Sequence, residues 1–512
     1  MAADPEKGVS VERAEDARRH SADEPPVKAV AVDLEHQDEA MRVLATYQGD
    51  LEWTEEEEKA IRRRLDWKLM PVLCLTYGLQ HYDKTMLSQA AIFGLQTDLD
   101  LLVGARYSWS ASIFYLGFIV GAYPLVALAQ RFPIERVASL IVFLWGTCLL
   151  LTTVCKNYQS LYAQRFFLGF LESGVSPMFM VIVGGFYKKD EQAVRMGVWY
   201  SATGLAAMLS PLCNYGLGQI NGGVSSWRYM YYFAGAITVA WGVALWWVLP
   251  PDPVRAKGYT ERERYILVAR LRSNNAGVRN THFKPAQIKE LLLDLKFWTV
   301  FAIAFLSQIP NGPMSSFIPL IIRGLGFNEL NSLLLKMPSG ACGCIMLLTL
   351  PWLAYKYENV RTYVFAFTMI ITVMSSLLLW LLPVSRTGAL LFAIYVLPSF
   401  SAGYAILMGI QIANTAGYTK KTVSSAGMYI GYCLGNFVGP MLFTKEDAPR
   451  YTPGFTVLVA TTVAALALSM FYRFLCIYSN KKRDREGHEE SFDNAYEDDF
   501  TDRTNRHFRY IY

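Results

Sequence analysis

The sequence predicts an all-α membrane protein of twelve transmembrane helices in two six-helix pseudo-repeats, on three observations. Its 512 residues are 53% hydrophobic, 14% aromatic and only 18% charged, too apolar for an ordinary soluble enzyme. Apolar runs separated by charge clusters number twelve, at 69–93, 107–128, 136–155, 159–186, 195–219, 227–249, 297–322, 330–353, 361–382, 388–415, 422–442 and 454–477. The third observation is duplication: LAQRFPIERV at 128–137 parallels LAYKYENVRT at 353–362, an offset of 225, and GFYKK from Gly185 parallels GYTKK from Gly417, an offset of 232. Repeated halves packed around a midplane cavity are the architecture of alternating-access carriers, and a channel or receptor would have no reason to show it.

Taken in order, residues 1–66 form a polar tail with charges of both signs and a Pro25-Pro26 pair, and no apolar core of a signal peptide. The tail is expected to be disordered, apart from a surface helix from Glu55 to Arg64 opened by a capping box of Thr54 and Glu57. The first half follows at 67–249, a linker at 250–296 and the second half at 297–478. Within the linker, Thr260 to Arg272 reads as an amphipathic helix lying along the membrane face. Residues 479–512 read as a disordered regulatory tail, with Ser491 a candidate for phosphorylation and Lys481 or Lys482 for ubiquitin. Arg62 to Arg64, Arg131 with Arg136, Lys188 with Lys189, Lys356 with Arg361, Lys420 with Lys421, and Lys481 to Arg483 fall on one side with the linker's basic residues. By the positive-inside rule, both termini face the cytoplasm.

The cysteines fall mostly inside apolar spans, and Cys342-Gly343-Cys344 has neither metal-ligand spacing nor a nearby His. No Walker-type segment occurs, so ATP is not expected to drive the chain, and a gradient must. No nucleophile, metal or cofactor constellation marks an enzyme. The expected partners are protons, a small-molecule organic anion and the lipid bilayer; no nucleic acid is expected, and the protein is expected to be a monomer.

Ionisable groups at membrane depth are costly and mark functional sites. Asp83 and Lys84 lie in the first span, Asp83 about 20 Å along its axis. In the fourth span, Arg165 and Glu172 are seven apart and share a face, with Gly169 between them leaving space. The residues leave two readings open: ion pairs that only specify packing, or a site for a proton and a charged substrate. The second half offers neutral polar groups, Gln308 with Asn311, Gln411 with Asn414, and a stripe of Tyr429, Tyr432 and Asn436, which could orient a ligand or stitch helices together. Lys336 is expected to snorkel to the outer surface, with an acidic group of a substrate as the alternative partner. His81 ranks below Asp83 as a proton carrier.

These residues carry a resemblance. The twelve-span plan with a basic turn between spans two and three resembles the major facilitator superfamily, and YDKTMLSQAAIFGLQTDL, RFFLGFLESGVSPMF, QRFP, NTAGYTKK, GNFVGP and DAPRY resemble its anion:cation symporter family, most of all the fungal allantoate permease-like branch. The resemblance covers roughly 65–478 and implies proton-coupled uptake of a small organic anion (an allantoate, ureidosuccinate, nicotinate or vitamin acid) across the plasma membrane. Carried over, Asp83 and Glu172 would be the proton sites and Lys84 and Arg165 would contact the carboxylate. Relatives outside the fungal branch often have Arg where this chain has Lys84, and Lys cannot grip a carboxylate bidentately, so Arg165 is the expected anchor. The usual Gly and Asp of the superfamily's motif between spans two and three are missing from LAQRFPIERV. An exporter of drugs or metabolites is the alternative within the fold, and a transporter-like nutrient receptor the alternative of another class. The fifth span has Pro211 without the exporters' Gly-Pro signature, and the tail is short for a signalling receptor.

Overall fold

The computed structural model describes residue 47 and residues 52–220, 222–250, 255–256, 258–270, 284–357, 359–448, 450–487 and 501–512. The chain divides into two units, Met1–Asp50 and Leu51–Tyr512. The first is described only at residue 47, so the expectation for the amino-terminal tail, like that for Ser491, lies outside the described residues.

Twelve helical spans follow in order. The first half consists of Glu55–Ala90, Arg106–Arg131, Ile134–Leu151, the pair Tyr158–Glu172 and Val175–Phe186, Lys189–Gly218 and Ser226–Val248. The second consists of Leu295–Gln308 with Asn311–Gly324, Glu329–Leu334 with Met337–Lys356, Arg361–Leu381, Thr387–Val396 with Ser399–Ala413, Tyr418–Met441 and Thr452–Arg485. Among the described residues, by length and composition alone, 8 spans are apolar enough to cross a membrane, or 9 if the bent unit Pro285–Leu292 with Leu295–Gly324 is included. The first, fifth and eleventh fall short because polar and charged residues interrupt them.

Packing repeats as the sequence does. Span three packs on six, two on four and one on five; nine packs on twelve, eight on ten and seven on eleven. Each second-half pair is a first-half pair advanced by six spans. Between the halves, five packs on eight and eleven on two, again exchanged by that shift, and one packs on seven.

Two elements depart from expectation at the ends of the first half. The capping box forms, with Thr54 Oγ1 accepting from the Glu57 amide and the Glu57 carboxylate from the Thr54 amide, but the helix it opens runs unbroken to Ala90. Nothing between Arg64 and Leu69 breaks a helix, so the surface helix and the first span are one rod of 36 residues. The linker helix, Glu261–Ala269, has its own capping box from Thr260 and Glu263, and its Tyr265–Ala269 stretch is buried. It ties back to the first helix through Arg64–Glu263 at 2.8 Å and Arg262–Glu57 at 3.2 Å.

On this linker side, each half carries a charged clamp. Lys188 pairs with Glu58 at 2.5 Å, and Arg270 of the linker, fully buried, reaches Glu191 at 3.4 Å and donates to the Phe186 carbonyl at 2.8 Å. In the second half, Lys420 is surrounded by Glu290 at 2.9 Å, Asp294 at 3.2 Å and Asp502 at 2.7 Å. Glu58 and Glu290, like Lys188 and Lys420, are 232 residues apart, so the clamp is duplicated with the chain.

On the far side, the halves meet. Tyr107 donates to the Ser316 carbonyl at 2.6 Å, Ser108 to Phe443 at 2.5 Å, Ser112 to Phe437 at 2.7 Å and Arg323 to Ile92 at 3.3 Å. Phe317 packs among Tyr107, Phe443 and Tyr451, with ring centroids 5.1 to 5.8 Å apart.

Spans two and four approach through glycine. A Cβ on Gly169 would overlap the Phe114 carbonyl, and one on Gly117 would overlap that of Phe166, so the two backbones are in contact. Small residues are the usual device for this where lipid removes the hydrophobic drive to associate.

The carboxyl-terminal segment corrects the expectation of a disordered tail at both ends of what is described. The twelfth helix continues to Arg485, and residues 501–512 fold back against the linker side of the second half. Asn414 exchanges two hydrogen bonds of 2.7 Å with the Ile511 backbone, and Asn480 pairs with the Tyr510 backbone. The Lys296 ammonium lies 3.5 Å over the Tyr510 ring, and Arg473 lies 4.6 Å over that of Tyr512. Burial and the neighbouring Asp502 carboxylate hold the Tyr510 phenol above the ordinary tyrosine range, so it stays protonated and donates to Asp502 at 2.8 Å. The ending RHFRYIY supplies aromatic rings for this docking.

Two outcomes follow. Gly169→Val is expected to separate spans two and four and lower the melting temperature of purified protein, with Gly169→Ala milder in the same direction. Lys420→Met leaves three carboxylates facing one another and is expected to cost roughly 3–5 kcal/mol, as breaking a buried pair does; thermal unfolding in detergent measures it.

Candidate functional site

The site is built on spans one, two and four. Arg165 and Glu172 stand two turns apart on Tyr158–Glu172, and both are buried, at 2% and 1% exposure. The glycine contact presses this face against span two, so the Arg165 guanidinium lies 4.9 Å over the Phe114 ring and its Nε donates to the Ser110 carbonyl at 3.3 Å. Arg165 Nη1 and both Glu172 carboxylate oxygens are buried without a hydrogen-bond partner among the described residues. Arg165 and Glu172 form no ion pair with each other, nor do Asp83 and Lys84. Glu172 lies within electrostatic reach of Asp83, Arg165 and Lys84.

Asp83 and Lys84 point apart, as neighbours about 100° apart on a helix must. Asp83 turns into the first half, where Trp145 Nε1 donates to its Oδ2 at 2.8 Å and Thr238 at 3.1 Å, leaving Oδ1 without a partner. Lys84, half-buried, turns toward the second half, its ammonium 5.2 Å from the Tyr115 ring centroid. It also lies within electrostatic reach of Tyr432 in span eleven. Gln80 anchors the first span to the fourth by donating to the Glu172 carbonyl at 3.0 Å.

Across the interface, Tyr432 organises the neutral groups. Asn311 donates to its hydroxyl at 3.4 Å, Asn436 to its carbonyl at 2.8 Å, and Tyr429 stacks on it with centroids 6.0 Å apart. Gln308 Nε2 and Asn436 Oδ1 are buried without partners among the described residues. Gln411 and Asn414 are not brought into this group. They lie at the linker end of span ten, where Ser425 donates to Gln411 at 3.1 Å and Asn414 holds Ile511. Their i, i+3 spacing gives a shared face but not its depth. Lys336, expected to snorkel, is instead buried at 5% exposure, with no partner for its Nζ among the described residues.

Sequence reasoning missed Trp145, Thr238 and Tyr115, the groups that touch Asp83 and Lys84. An aromatic or threonine inside an apolar span leaves no periodic signal; only the buried charge beside it does. Among the described residues, no group of acidic, His or Cys side chains could hold a metal ion.

Known proteins resemble this chain in sequence and in fold. Residues 73–443 match the Major Facilitator Superfamily. Uncharacterized transporter C460.05 of Schizosaccharomyces pombe is 34% identical over 93% of this chain and 90% of its own, and the allantoate permease of Saccharomyces cerevisiae is 31% identical over 92% and 90%. Among solved structures, a bacterial homolog to the human lysosomal transporter Spinster, inward-facing and unoccupied, superposes with a TM-score of 0.60 at 16% identity, covering 82% of this chain and 97% of that one. With its family match spanning both halves and its helices paired alike in each, the chain belongs to the Major Facilitator Superfamily and is a multi-pass membrane transporter.

Proposed function

We propose that this transporter takes up a small organic anion together with a proton, by alternating access around the Arg165 site, with both termini in the cytoplasm of a plasma-membrane protein. The observation that carries the reading is that Arg165 and Glu172, buried on one helix face, have a guanidinium nitrogen and a carboxylate without hydrogen-bond partners among the described residues. A charged pair so placed without mutual contact is costly unless a ligand completes it. The allantoate permease among its relatives supports an anionic cargo, and the basic clusters on the linker side support the orientation.

In this reading, Arg165 anchors the substrate carboxylate with Nη1, while Ser110 and Phe114 fix the guanidinium plane. Lys84 adds a movable positive charge at the interface, and Gln308, Asn311 and Asn436 orient the neutral part of the ligand. Glu172 carries the proton, and Asp83 supplies negative charge within reach of it from the Trp145 and Thr238 pocket. An anion arriving at Arg165 and Lys84 draws these cations away from Glu172, so anion and proton favour each other's binding; linkage makes the effect reciprocal.

Arg165→Lys keeps the charge but loses the fork, and substrate affinity read by thermal-shift titration is expected to fall by at least about tenfold; an unchanged affinity would remove Arg165 as the anchor. Glu172→Gln imitates the protonated acid and is expected to keep exchange across reconstituted vesicles while losing accumulation driven by a pH gradient. Asp83→Asn, whose carbonyl still accepts from Trp145 and Thr238, is expected to weaken the same accumulation. Full accumulation by both variants would place these carboxylates outside the coupling.

A further inference from the structure

Span eight runs from Glu329 to Lys356 with a two-residue turn, Leu335 and Lys336, inside it. Its pieces are Glu329–Leu334 and Met337–Lys356, and Lys336 is the N-cap residue of the second. Lys336 stands at the junction, where the negative end of the first piece offsets the positive end of the second. It is also buried, at 5% exposure, and its ammonium has neither a hydrogen-bond partner nor an ion pair among the described residues. Burial of an ammonium without a counter-ion is costly. An anion bound there offsets that cost.

Position links this residue to the site already described. Span eight packs on span five at the interface of the halves, with Gly340 set against Ala207 and Met208. His81 on the first span is within electrostatic reach of both Lys336 and Lys84. The Lys336 ammonium therefore faces, across the interface, the helix that carries Asp83 and Lys84.

Charge then limits the ligand. At membrane depth, two carboxylates, Asp83 and Glu172, stand against three cations, Lys84, Arg165 and Lys336. With Glu172 protonated in the loaded state, the site carries two uncompensated positive charges, which a monoanion does not neutralise and a dianion does. Resting on the anion reading above, we infer that Lys336 is a second anion anchor and that the preferred cargo is a small organic dianion, one acidic group held by Arg165 and Lys84 and the other by Lys336.

The test titrates purified full-length protein by thermal shift, at fixed ionic strength, with matched acids: succinate against its monomethyl ester, and N-carbamoyl-aspartate against N-carbamoyl-β-alanine. Wild-type protein is expected to bind a dianion more tightly than its monoanionic partner by about tenfold, the worth of one charge-assisted contact. Lys336→Met is expected to abolish that preference while keeping monoanion affinity, and Lys336→Arg to retain it. Without ligand, Lys336→Met is expected to melt at the wild-type temperature or above, because an unpaired buried charge has been removed. A lower melting temperature would mean a structural partner for Lys336 and overturn the inference. So would equal affinities in wild-type protein, or a preference that survives in Lys336→Met, either of which leaves the Arg165 site standing. A wild-type protein that none of the four acids stabilises overturns the anion reading itself, and this inference with it.

Discussion

Arg165 and Glu172 are kept two turns apart on one buried helix without touching each other, and much of the first half is arranged around that constraint. Each charge taken out of water costs several kcal/mol unless it is offset. For Arg165 the offsets are weak ones, a ring face and a backbone carbonyl, both supplied by span two. They are available only because glycine lets the backbones of spans two and four touch. A direct Arg165–Glu172 pair would be more stable, but it would leave neither group open to a ligand.

The duplication that built the chain preserved the scaffold and not the site. At the offset of 232 that relates Glu58 to Glu290 and Lys188 to Lys420, Arg165 and Glu172 correspond to Leu397 and Tyr404. The clamps are kept in both halves because each ties the end of a half's first helical segment to the turn after its fourth. The charges at membrane depth are not, because two copies of a costly constellation would have to be solvated at once. Tyr404 instead joins the second half's aromatic group, its ring 5.0 Å from that of Tyr432.

What the sequence made legible follows the same physics. Hydropathy marks spans because lipid demands it, and charges inside spans stand out because they are rare there. Direction is a different matter. Asp83 and Lys84 are adjacent, and only the packing of spans three and six decides that Asp83 meets Trp145 and Thr238 while Lys84 faces the interface. Depth was equally hidden for Gln411 and Asn414, whose shared face ends at the linker side. Docking of residues 501–512 rests on long-range contacts of Tyr510 and Ile511 that no local pattern announces.

The way charge is distributed also explains how the halves can move. Among the described residues, no ion pair joins the first half to the second; the clamps of Lys188 and Lys420 lie within a half and its flanking segments. Contacts across the interface use hydroxyls donating to carbonyls, aromatic faces and the single guanidinium of Arg323. A neutral hydrogen bond contributes about 1 kcal/mol net, and its groups find water when they part. Separating buried ion pairs costs several times more. Rigidity is thus concentrated inside each half and weakness at the joint between them, the distribution that the proposed alternating access requires if the halves are to rock without either one unfolding.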